Sequence, residues 1–172
     1  MSLTYEAVAG TLSAMITAMQ TTVKPADPAD PVSQKLVHAM EAEIEATYAD
    51  DMGSIHSVGA SAESMTPPDG DFLVVYDGTR PVGCGGIKRL DERTCEVKRM
   101  YILPGLRGNG LSGLLLEALE ERAVELGFTR ARLDTGVRQL AAKHLYERSG
   151  YVEIPDYNGN TQASFWFEKE LG

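Results

Sequence analysis

The sequence predicts an α/β protein built on one sheet of mixed strand direction. Three observations carry that expectation. Between Asp71 and Leu103 three apolar, strand-like runs follow one another, and the first two are joined by Asp77-Gly78, a strong hairpin signal. After them the pattern alternates between helix and strand, as in a sheet whose later strands are joined by helical crossovers. The chain has 172 residues and is 43% hydrophobic, enough for one domain with a real core.

The elements follow in order. Residues 1–18 read as an extension, in which Val8, Leu12, Met15 and Met19 are spaced for one helical face that Gly10 weakens. Residues 19–172 read as the domain. Thr21 to Lys24 is a short strand ending at Pro25, and Pro25, Pro28 and Pro31 punctuate a connector. Val32 to Ala49 is a helix with Leu36, Met40 and Ile44 on its apolar face and Glu41 and Glu45 beside it. Residues 50–70 form a long polar loop with at most one helical turn. The strands of the meander are Asp71–Tyr76, Pro81–Leu90 and Thr94–Leu103, with Gly83, Gly85 and Gly86 marking a bulge or a close backbone approach. Leu111 to Gly127 is a helix with Leu114, Leu115, Ala118, Leu119 and Val124 inward and Gly127 closing it. Arg130–Asp134 is a strand and Leu140–Ser149 a helix closed by Gly150. Tyr151–Ile154 and Ser164–Glu168 are the last strands.

Composition bounds the function. The net charge of −9 offers no basic footprint for a phosphate backbone, so no nucleic-acid partner is expected; the charge serves solubility first, and it also suits cationic acceptors. No apolar run reaches membrane-spanning length, and the N-terminus lacks a basic segment followed by an apolar one, so no membrane partner and a cytoplasmic setting are expected. Cys84 and Cys95 fall on adjacent strands, about 20 Å apart along a tight hairpin, too far for a disulfide, and are expected free and buried. His38, His56 and His144 show no ligand spacing, and no metal is expected.

The most informative stretch is Arg107-Gly108-Asn109-Gly110-Leu111-Ser112-Gly113, a glycine-dense bend between a strand and a long helix. Glycine lets main chain approach a ligand, and the first helical turn carries amides without internal partners in a positive potential. Arg107 would add a forked, permanently charged donor. The bend therefore suggests a phosphorylated small molecule; a tight turn with helix-packing glycines is the other reading. A P-loop is excluded, because Leu111-Ser112 rather than Lys-Ser or Lys-Thr follows Gly110. Gly108-Asn109-Gly110-Leu111-Ser112-Gly113 matches the dinucleotide fingerprint literally, but it follows an antiparallel meander rather than opening a βαβ unit.

With these residues in view, the segment from Asp71 to Leu171 resembles the GNAT superfamily of N-acetyltransferases. Arg107-Gly108-Asn109-Gly110-Leu111-Ser112 fits the family's pyrophosphate signature, Gln/Arg-x-x-Gly-x-Gly/Ala, with Ser112 in the last small-residue slot. The run from Gln139-Leu140-Ala141-Ala142 through Leu145-Tyr146 to Gly150-Tyr151 fits its second signature, with Gln139 in place of Asn and Tyr151 in place of Phe. The resemblance implies a single, largely antiparallel six- to seven-stranded sheet flanked by helices, with splayed fourth and fifth strands. It implies acetyl-CoA as cosubstrate and acetyl transfer to a primary amine of a small molecule or peptide by direct attack, with no protein nucleophile. On it, the amides of Arg107, Gly108, Asn109, Gly110, Leu111, Ser112 and Gly113 hold the pyrophosphate. Main chain at Met100, Tyr101 and Ile102 pairs with the pantetheine arm as an added strand and polarises the thioester carbonyl. Gln139 and Ala142 complete the cofactor set. Tyr146 is the expected proton donor to the departing thiolate, and Glu96 the general base, directly or through a water. Glu41, Glu45, Asp50 and Asp51 are expected around the acceptor pocket, with Tyr157, Asn158 and Trp166 closing it. A non-catalytic acyl-CoA-binding sensor is the alternative, and a nucleotide-binding domain a third reading. The N-terminal extension could serve a homodimer.

Overall fold

The computed structural model of the chain describes residues 20–50 and 62–172. The expected extension, Asp51 and the residues of the long loop up to Ser61 lie outside that set. The described chain folds as one seven-stranded sheet in the order β1-β2-β3-β4-β5-β7-β6. β1 (Thr21–Pro25), β2 (Gly70–Asp77), β3 (Arg80–Arg89) and β4 (Thr94–Ile102) form an antiparallel meander. Helix α2 (Leu111–Glu125) then carries the chain back across the sheet, so β5 (Arg130–Thr135) lies parallel to β4. After α3 (Leu140–Arg148), β6 (Val152–Ile154) and β7 (Phe165–Glu170) complete the open sheet, with β7 antiparallel between β5 and β6. No described helix is long and apolar enough to cross a membrane.

Strand alternation sends side chains to two cores. On one face Val75, Ile87, Cys95, Val97 and Leu133 pack with Leu115, Leu119 and Tyr146 from α2 and α3. On the other, Phe72, Val74, Cys84 and Tyr101 pack with Leu36, Val37 and Met40 from α1 (Pro31–Thr47), and with Met65 from a single 3-10 turn at Ala62–Met65. Pro31 stands at the first turn of α1, where its missing amide costs nothing. Both cysteines are buried and free, Cys84 opposite Tyr101 and Cys95 opposite Arg89, each in a different core.

One expectation is corrected. On α2 the buried set is Leu111, Leu115, Leu116, Leu119 and Ala123; Leu114 is only partly buried and Val124 is 47% exposed. Three consecutive leucines left the phase of the helix open, and the fourfold spacing from Leu111 to Ala123 decides it. The reading of the β3 glycines is borne out: a Cβ at Gly83, Gly85 or Gly86 would stand under 3 Å from a neighbouring atom, and β3 carries an extra residue, Val82, against β2; a second irregularity lies in β4. The register passes from Cys84 opposite Tyr101 to Gly86 opposite Lys98, so β4 carries the extra residue, and Arg99 takes a φ of 57° there.

Candidate active site

β4 and β5 stay together for three residue pairs, Thr94–Arg130, Cys95–Ala131 and Glu96–Arg132, and then part. Among the described residues no strand pairs with the β5 side of β4 from Val97 onward, and the bulge at Arg99 falls within this stretch. The gap opens toward the carboxyl ends of two parallel strands, the place where α/β sheets receive ligands. Met100, Tyr101 and Ile102, expected to pair with the pantetheine arm, line the diverging edge. One acceptor on that edge is already used: Arg107 Nε donates to the Ile102 carbonyl at 2.9 Å.

The glycine bend follows the carboxyl end of β4, toward which this gap opens. Gly108 and Gly110 both take a φ of 81°, which non-glycine residues resist, and Gly110 is the N-cap of α2 without any side-chain cap. Among the described residues, the amides of Gly108 through Gly113 have no protein acceptor; the first bond of the helix runs from Leu114 N to Gly110 O. A Cβ added at Gly108, Gly110 or Gly113 would meet nothing within 4 Å. Space and donors thus coincide. Leu111 is fixed by its buried side chain, which anchors the first turn in the core.

The guanidinium of Arg107 departs from expectation. It forms a forked pair with Glu43 of α1, at 2.7 and 2.8 Å, and lies 5.5 Å from the Tyr101 ring. Hydrogen bonding to Arg107 holds the Glu43 carboxyl below its usual range. The charged fork expected to face a phosphate is therefore turned to a carboxylate, and Glu43 rather than Glu41 or Glu45 is the α1 acid that meets the bend.

Tyr146 crosses the gap from the α3 side. Its ring is 7% exposed, packed against Tyr151 and Phe167, and its hydroxyl points to Met100 Sδ at 3.9 Å. Burial, and then the nearby negative charge of Asp134, push its pKa well up, so the phenol keeps its proton.

The opposite face of the sheet carries a cluster of polar side chains at the same place. Glu96 is 1% exposed. Its Oε2 pairs with Lys88 Nζ at 3.2 Å, and its Oε1 accepts from Tyr157 Oη at 2.7 Å and Asn158 Nδ2 at 3.0 Å, with Lys98 Nζ 3.5 Å away. Lys98 also reaches Asp134 Oδ2 at 3.2 Å. Asp134 accepts from Asn158 and Asn160 as well. Trp166 Nε1 donates to Asn158 Oδ1 at 2.9 Å and secures the loop. Burial first and the Glu96 charge second raise the Tyr157 pKa. Tyr157, Asn158 and Trp166 thus come together with Glu96, whose carboxylate is covered and presents no open oxygen to the gap.

The other rim is tied to α1. Arg138 grips Asp50 and the Thr47 carbonyl and stacks on Tyr48, whose hydroxyl accepts from the Arg138 amide. Gln139 turns its Oε1 inward to Thr135 Oγ1 and Gly136 N, and Ala142 packs partly into the core. Lys98, Asp134, Lys88 and Glu43 were not singled out in the sequence. The signal lay in the alternation of β4 and β5: Glu96 and Lys98, like Arg132 and Asp134, are two residues apart and share a face.

A family model described as the acetyltransferase (GNAT) family matches residues 36–151. An IAA acetyltransferase of Azospirillum brasilense is 34% identical over 112 residues, covering 63% of this chain and 73% of that protein. Among solved structures, one assigned as an acyl-CoA N-acyltransferase from Klebsiella pneumoniae superposes with a TM-score of 0.71 at 30% identity, over 88% of this chain and 98% of that one. The Salmonella typhimurium protein yncA, solved with its cofactor acetyl-CoA, superposes with a TM-score of 0.64 over 88% of this chain and 94% of that one; at 17% identity it speaks to the fold alone.

Proposed function

Because the chain belongs to the GNAT family of acetyltransferases, and so is an acyltransferase, we propose that it moves an acetyl group from acetyl-CoA to a primary amine of a small molecule or peptide within a ternary complex. The carrying observation is the parting of β4 and β5 after Glu96–Arg132, with open amides beyond the carboxyl end of β4 and the Tyr146 phenol reaching Met100 on that strand. The residues suit the cosubstrate: the bend offers amides without protein acceptors and room that a Cβ would not contest. In this reading Gly108 to Gly113 hold the diphosphate through main chain, and the free edge at Met100 and Tyr101 orients the arm. Acetyl-CoA supplies the activated thioester.

Tyr146 holds a proton at Oη and delivers it to the leaving sulfur. Its raised pKa keeps it charged with that proton throughout the neutral range. Glu96 takes up the amine's proton at one remove, through Tyr157, whose Oη donates to Glu96 Oε1 at 2.7 Å. Tyr157 receives the proton as its own passes to Glu96. The buried thiols of Cys84 and Cys95, both pushed up to about 12, play no part.

The test is incubation with acetyl-CoA and a panel of primary amines, following thiol release. Tyr146→Phe should lower kcat on the order of a hundredfold while leaving the Kd for CoA unchanged. Binding without thiol release from any amine would favour the sensor alternative. Unchanged turnover in Tyr146→Phe would remove Tyr146 from the reaction.

A further inference from the structure

The gap already contains a primary amine. Lys98 and Asp134 are the first same-face residues on β4 and β5 beyond the last paired ones, Glu96 and Arg132. Their side chains meet at 3.2 Å, so the bridge spans the diverging strands. The Lys98 ammonium has a second carboxylate, Glu96, at 3.5 Å, and its side chain is 18% exposed. Resting on the acetyl-transfer reading above, we propose that Lys98 is itself an acceptor and that the enzyme acetylates its own Lys98 Nζ.

The charges around it permit the reaction. Two lysines, Lys88 and Lys98, face two carboxylates, Glu96 and Asp134, and the neighbouring Arg132 is paired with Glu168 at 2.7 Å. Asp134 Oδ2 takes a proton from the Lys98 ammonium. The freed amine forms the bond to the acetyl carbon, the carbon–sulfur bond breaks, the thiolate takes its proton from Tyr146 Oη, and the second proton that the nitrogen sheds on becoming an amide restores the Tyr146 phenol. Afterwards Lys98 is a neutral amide and Asp134 a neutral acid, while Glu96 keeps Lys88, Tyr157 and Asn158 as partners. No charge in the cluster is stranded, which is what a buried site requires. Lys88, in the same cluster and 25% exposed, is the internal comparison: it lies on β3, one strand away from the gap.

The experiment is incubation of the purified chain with acetyl-CoA and no added amine, then peptide mapping by mass spectrometry, with CoA binding measured separately by calorimetry. Acetylation should appear first at Lys98, well ahead of Lys88 and of the exposed Lys35. Asp134→Asn should slow it at least tenfold without changing the Kd for CoA. Lys98→Arg, which keeps the bridge to Asp134, should leave that position unmodified. If CoA binds and added amines are acetylated but Lys98 is not, or is modified only after Lys35, the inference is overturned and the bridge is a strap. If CoA does not bind at all, the acetyl-transfer reading falls with it.

Discussion

Replacing Gly110 by alanine separates the two uses of the glycine bend. In the free protein the cost is conformational. Gly110 holds a φ of 81°, and a Cβ there meets no atom within 4 Å, so no clash is added. A left-handed conformation costs a non-glycine residue about 1–2 kcal/mol. The loss of freedom in the unfolded chain returns about 0.4–1 kcal/mol. The net is roughly 1 kcal/mol, or a Tm lower by about 2–4 °C for a chain of this size. The effect on the ligand should be larger. A shifted or shielded amide forfeits a hydrogen bond to a charged group, about 1.5–3 kcal/mol, which is roughly a ten- to hundredfold rise in the Kd for CoA. Thermal melts with and without CoA, alongside calorimetry, measure both. An unchanged Kd would show that the bend is a turn and not the diphosphate site. A Tm loss many times larger would show that the space beside Gly110 is not open.

Three further outcomes follow from the same geometry. Glu43→Gln releases the Arg107 fork, so CoA binding should tighten by a few-fold and become more salt-dependent, as calorimetry at two ionic strengths would show; weaker binding would mean that Glu43 positions the bend. Stability should fall with alkali. Burial raises the pKa of Tyr146, Tyr151 and Tyr157 and lifts Cys84 and Cys95 to about 12, so the unfolded chain releases these protons first. Urea midpoints should hold below about pH 8.5 and drop steadily from there towards 12; a flat profile would refute the burial argument. Glu96→Leu leaves Lys88 and Lys98 facing one carboxylate. Its kcat should collapse with little change in CoA affinity, whereas equal loss of both would make Glu96 a structural residue.

Much of this was legible because it is written in local chemistry. Asp77-Gly78 marks a hairpin wherever it stands, and the glycines between Leu106 and Leu114 announce a bend ahead of a helix before any neighbour is known. Tyr146 was placed by register within a motif. What stayed hidden depends on distant partners. Nothing near Arg107 in the sequence says that Glu43, on another helix, captures its guanidinium. Nothing near Lys98 says that β5 brings Asp134 to it. The inward face of α2 failed for a different reason: a run of three leucines fits more than one helical phase, and only the sheet beneath chooses between them. Glu96 was found by type and position, but that its carboxylate would be wrapped by two lysines, a phenol and an amide follows from the loop before β7 folding over it.

Gly85, at the centre of β3, works as a clearance rather than a contact. A methyl there would stand 2.9 Å from Leu119 Cδ1, 3.3 Å from Met100 Cγ and 3.4 Å from Leu115 Cδ2. Two of these belong to the helix whose leading end bears the glycine bend, and the third neighbours the hydroxyl of Tyr146. The fit of those leucine tips against the sheet thus depends on an atom that is missing. Adding one carbon in the middle of the molecule would press on the side chains of α2 and on Met100 together, so its effect would reach the cleft by way of its neighbours.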